Sequence, residues 1–221
     1  MAKIAKLLTS SVAVFTLFLL ASIAASAASV ELTDVDTLEG YEYVELSEPR
    51  LEMYDGKTEV LLGYLQPINT SADGSSTMDY REYDTWKVYD QGIIQSWSYL
   101  SNPYFIKSIA RGMVYEKTTE VSATISATYE GSYPSAAKSA INAAFKLSGS
   151  GTKKVTEKVT FSGPDAGYNS RDFYYQHGRH TNQIRIVQEH RSNWDGILWT
   201  KTYYGTVGDP KIRTFSQDTN R

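Results

Sequence analysis

The chain of 221 residues has no cysteine. That one absence excludes disulfides, cysteine-ligated metal sites and thiol nucleophiles together, and leaves the fold to its apolar core. Only three histidines are present. There is no Gly-x-Ser-x-Gly elbow for a serine hydrolase, and the one glycine-rich piece, Ser148-Gly149-Ser150-Gly151-Thr152, lacks the Lys-Ser/Thr ending of a phosphate loop. No basic run stands out and the net charge is −3, which argues against a nucleic-acid partner. Long apolar runs are also missing, except one at the N-terminus.

That run, Val12 to Ala25, follows Lys3 and Lys6 and closes in Ala25-Ser26-Ala27. A basic start, a short apolar stretch and small residues at the end define a secretory signal peptide, residues 1–27, with cleavage after Ala27. A retained membrane anchor is the competing reading, because about 17 residues can span a bilayer. Cleavage would take the net charge to −5 and leave a secreted, extracellular or cell-envelope-associated protein with no stable membrane insertion. Residues 28–40 are polar and acidic without a sustained period, so they read as an N-terminal arm. Residues 41–221 read as a single mainly-β domain.

Charge is unevenly placed. Residues 28–60 carry ten acids against Arg50 and Lys57, whereas residues 121–221 carry eight acids against thirteen bases. The simplest account is an acidic and a basic part that attract one another within one molecule.

The most patterned stretch is Thr118 to Pro164. Val121, Ala123, Ile125, Ala127 and Tyr129 alternate with Ser and Thr, which is the period of a half-buried strand. Ala137, Ala140, Ile141, Ala144 and Phe145 then recur at three and four residues, predicting an amphipathic helix over about 134–147 with Pro134 in its first turn and a stop at Gly149. Alternation by two resumes with Val155, Val159 and Phe161. Elsewhere short alternating runs are separated by turn residues. Asp55-Gly56, Asp90-Gln91-Gly92 and Asn193-Trp194-Asp195-Gly196 read as hairpin turns; Gly178 to Asn182 and Gly208-Asp209-Pro210 read as further turns, and Pro67 to Asp79 as a loop. The expected class is α+β, mainly β: antiparallel hairpins forming a sheet or sandwich with one helix packed on it.

Candidate site residues are few. His177, His180 and His190 lie close in sequence, and a hairpin could bring them together, but their spacing matches no metalloprotease helix and solvated or hydrogen-bonded imidazoles are the expectation. No metal and no cofactor are expected. Of the four tryptophans, Trp86, Trp97 and Trp199 fall on strands and are assigned to the core, while Trp194 occupies a turn and is the residue chosen for binding.

From Tyr104 to Phe215 the order of features resembles small secreted exoproteins of Gram-positive bacteria with no assigned activity: a Ser/Thr strand, an Ala-rich helix, a Thr/Lys strand ending in Ser162-Gly163-Pro164, the aromatic strand RDFYYQH, and YYGTVGDP. The resemblance implies no catalytic residue. The Ser/Thr strands flanking an amphipathic segment also resemble the insertion region of aerolysin-type pore formers. The leading expectation is therefore a non-enzymatic binding or envelope-associated protein, with a cell-wall polymer or carbohydrate as partner. A β-pore-forming toxin is the alternative, and a secreted hydrolase without a recognisable motif the third.

Overall fold

The computed structural model describes residues 38–68, 79–113 and 118–220. The signal peptide expected at 1–27, most of the arm and most of the 67–79 loop lie outside them. The described chain runs β1 (Tyr41–Tyr54), β2 (Lys57–Pro67), β3 (Glu82–Tyr99), β4 (Tyr104–Ala110), β5 (Thr118–Ser126), β6 (Thr128–Glu130), α1 (Ser135–Ala144), β7 (Thr152–Thr160), β8 (Ser170–Ser192) and β9 (Gly196–Thr219). It is mainly β with one helix, as the alternation predicts. All pairings are antiparallel. Seven strands form one sheet in the order β1-β2-β3-β8-β9-β6, with β4 on β8, and β5 pairs β7 in a separate two-stranded sheet.

Two of the expected turns form where residues tolerate positive φ. Asp55 (φ 49°) and Gly56 (φ 73°) join β1 to β2, two left-handed residues in succession as a tight hairpin demands, and Gly196 (φ 76°) closes the β8–β9 turn. Three others do not reverse the chain. β3 passes through Asp90-Gln91-Gly92 with a register shift, while β8 runs through Gly178 to Asn182 and β9 through Gly208-Asp209-Pro210 as continuous strands. The glycines that look like turn residues answer to packing instead. A Cβ on Gly178 would strike the Trp97 ring, one on Gly205 the Tyr133 hydroxyl and the Glu130 carbonyl, and one on Gly208 the Thr128 hydroxyl. Glycine inside a strand marks such a close approach as readily as a bend.

β8 and β9 pair without a bulge from Ser170 to His190, so side chains keep strict alternation over that whole length. Ile184 and Ile186 lie on one face, joined by Trp86, Val88, Leu65 and Val207, and α1 packs on them through Ala137, Ala140 and Ile141, all three fully buried. Alanine at the contact lets the helix axis approach the sheet. The helix ends at Ala144 with Phe145 as its cap and does not run on to Gly149: Lys146 takes φ 55° and Leu147 N donates to Asn142 O at 2.7 Å, a left-handed termination without glycine. Phe173 has the opposite parity and belongs to a second core with Ile109, Val159 and Phe161. The helix therefore packs on one face of the ribbon, while Val159 and Phe161, at the end of β7, pack on the other face at a different height. Each buried Ile or Phe contributes about 1.5–3 kcal/mol to holding its element there.

The charge asymmetry resolves partly into internal pairs. Lys146 meets Glu45 at 3.0 Å, and Arg185 pairs with fully buried Glu59 while its guanidinium lies 3.9 Å from the Tyr54 ring centre and 4.2 Å from that of Tyr89. This pins the β1–β2 tip across β8.

Candidate functional site

The site is built at the β8–β9 turn. Ser192 Oγ accepts from Asp195 N at 2.7 Å, which tightens the turn, and Asn193 ties it to the start of β3: its N donates to Arg81 O (3.1 Å), its Oδ1 accepts from Arg81 N (2.9 Å) and its Nδ2 donates to Asp79 O (2.9 Å). With both neighbours clamped, Trp194 projects outward and is 63% exposed. Its only ring neighbour among the described residues is Tyr80, met edge-on at 5.6 Å.

From Tyr80 a hydrogen-bonded chain leads onto the sheet. Tyr80 OH donates to Glu82 at 2.6 Å, Glu82 meets His190 Nε2 at 2.9 Å, and Asp84 meets His190 Nδ1 at 2.8 Å while accepting from Gln188 Nε2 at 3.0 Å. Trp199 stacks on the imidazole at 4.7 Å between centres and 18° between planes. The register makes this inevitable, because Asp84, His190 and Trp199 sit directly opposite one another on β3, β8 and β9.

Hydrogen bonds to Asp84 and then to Glu82 raise the His190 pKa, since both ring nitrogens donate best when the ring is charged. The bonds from Tyr80 and His190 hold the Glu82 carboxyl below its ordinary value, and the same Glu82 pushes the Tyr80 phenol up. The result is two carboxylates and one imidazole framed by Trp194, Tyr80 and Trp199. Such a set can stack a ring and accept protons from hydroxyl or ammonium groups. It offers no activated nucleophile.

The four site residues read from sequence separate into two groups. Trp194 and His190 belong to this network. His177 is about 40 Å from His190, thirteen residues along the same strand. It packs on Tyr104 (5.1 Å) and Tyr175 (5.7 Å), whereas His180 lies against Trp97 (6.0 Å). Thirteen residues of unbroken strand keep the histidines apart, and among the described residues no group of three His, Asp or Glu side chains could hold a metal. Trp199, assigned to the core, is 45% exposed; Trp86, at 4%, is the tryptophan that fills it. Tyr80, Glu82 and Asp84 escaped the sequence reading although their spacing of two placed them on one face.

The opposite face of the sheet carries a groove of 290 Å³ beside Tyr64, Tyr83, Lys87, Glu189 and Arg191. Its charges already satisfy one another. Burial opposes ionisation of Glu189, but ion pairs with Lys87 (2.5 Å) and Arg191 (2.7 Å) outweigh it and hold the carboxyl below its usual range. Comparison with models of known protein families, with characterised proteins and with solved structures finds no match for this chain.

Proposed function

We propose that this is a secreted, non-enzymatic binding protein that takes a carbohydrate, such as a segment of a cell-wall polymer, at the Trp194 end of the sheet. The observation that carries the reading is the contiguity of exposed aromatic rings with oriented acceptors: Trp194 and Tyr80 beside Glu82, and Trp199 beside His190. Saccharides present apolar C–H faces and a rim of hydroxyls, and this arrangement complements both. The local excess of carboxylate favours neutral or amino sugars over uronic acids.

The test is retention on insoluble Gram-positive wall material and titration with soluble oligosaccharides derived from it. Trp194→Ala should weaken binding by about thirtyfold, the effect of truncating a central aromatic contact. Its stability should stay within about 0.5 kcal/mol of the parent, as for other exposed positions. Equal affinity of parent and variant, or no retention of the parent, would refute the reading.

A second reading, membrane insertion, draws support from the β5–β7 hairpin. Each strand has nine residues, each pairs only with the other, and nine is the lower bound for a strand spanning a bilayer. Its packed face weighs against it. By register that face carries Glu157 opposite Val121 and Lys153 opposite Ile125, and Lys153 is paired with Asp209 at 2.9 Å. Charges on a lipid-facing surface are disfavoured in proportion to depth.

A further inference from the structure

At the other end of the ribbon, far from Trp194, an aromatic row crosses three strands. Phe105 on β4, Tyr174 on β8 and Phe215 on β9 are direct cross-strand neighbours. Their centres are 5.7 Å and 5.5 Å apart in turn, and Phe105 is 59% and Phe215 36% exposed. The parity of Tyr174 is that of Ile184, so this is the face that α1 covers higher up; here no described element covers it. One pleat further along β9, Arg213 stands among three rings, 4.7 Å from Tyr99, 5.1 Å from Trp97 and 5.4 Å from Phe215. Its hydrogen bonds go to Tyr99 OH and Gln176 Oε1, and among the described residues no carboxylate pairs with it. Tyr99 is itself 62% exposed.

We infer that this face docks on the surface of an anionic lipid bilayer. Three features select that occupant. A contiguous exposed apolar patch on a soluble chain marks a docking surface. The rings of Tyr174 and Phe215 are stacked on each other at 19° and are further flanked by Phe105 and Arg213, whereas Trp199 has one stacking neighbour, so the row presents edges outward. A sugar needs a free ring face, whereas the boundary of a bilayer accepts edges. Finally, the row has a basic rim: on the same face, one pleat or about 7 Å along the strands, stand the Arg213 guanidinium and the Tyr99 hydroxyl, beside the rings that meet the bilayer. The unneutralised Arg213 supplies charge complementarity to lipid phosphate. The face rests on the bilayer surface and no strand crosses it.

The experiment is co-sedimentation of the protein with vesicles of phosphatidylcholine alone and of phosphatidylcholine mixed with phosphatidylglycerol. Pelleting with the mixed vesicles is expected. Arg213→Gln should weaken it by about fivefold, the contribution of one basic residue near an anionic surface. Phe105→Ser, at an exposed position where folding is insensitive and is checked by the near-ultraviolet dichroism, should abolish most of the remainder. Trp194→Ala should pellet like the parent, which separates this surface from the carbohydrate site. No pelleting with either vesicle overturns the inference. So does pelleting undiminished by Phe105→Ser, or release by inorganic phosphate at constant ionic strength, which would make Arg213 a site for a free anion.

Discussion

His190 holds a carboxylate on each ring nitrogen, Asp84 at 2.8 Å and Glu82 at 2.9 Å. The folded protein therefore binds that proton more tightly than the unfolded chain does. Stability from a raised pKa is fully present below the ordinary value of 6.5 and is lost as pH climbs through the folded value. Glu82 acts in the other direction: its depressed pKa gives stability present above the ordinary 4.5 and lost as acid is added. The thermal midpoint should thus fall as pH rises above 6.5 and through the folded value of His190. In His190→Gln that slope should flatten, and calorimetry across a pH series would decide. Identical slopes in the two proteins would assign the pH dependence to other groups. The site was half visible beforehand for a reason at this same scale. Trp194 announces itself by sitting in a turn, whereas Glu82 and Asp84 look like any solvated acids until the register sets Asp84 opposite His190 and Glu82 one pleat away.

Among the elements, period-two and period-four alternation reported the strands and the helix well, because each reflects one buried face that must match its partner. Turns were read less well. Glycine permits both a left-handed bend and a side-chain-free approach, and sequence does not say which is used. Asp55-Gly56 takes the first option, while Gly178, Gly205 and Gly208 take the second, so expected breaks vanished into strands of 23 and 24 residues. Gly205→Ala distinguishes the two roles. At an unconstrained strand position alanine would be harmless or helpful, but here its methyl meets the Tyr133 hydroxyl and the Glu130 backbone. A loss of about 1–3 kcal/mol in denaturant unfolding is expected, the usual cost of overpacking. An unchanged unfolding midpoint would mean that β6 and Tyr133 withdraw freely, and that the contact is looser than its geometry.

Taken as a whole molecule, the ribbon carries an aromatic-acidic cluster at His190 and an aromatic row with Arg213 at Tyr174, about 50 Å of strand apart, with the β5–β7 hairpin packed against it. If the hairpin stays seated, vesicles loaded with dye should keep it when the protein is added, even where the protein pellets with them. Release of dye would move Val121, Val155 and Val159 from the ribbon into lipid and favour the pore reading. The same ribbon also governs the order of assembly. β3 pairs β2 locally but finds its second partner only in β8, so Glu82 waits for Ser192 and the β1–β2 tip waits for Arg185. Pairings across such separations are slow to close, because the entropy of a long loop must be met before any contact rewards it. During synthesis the first half of the chain can thus form only the local β1-β2-β3 meander. That half keeps one edge of β3 open until the last strands emerge, and refolding from denaturant should be correspondingly slow, on the order of milliseconds to seconds rather than microseconds.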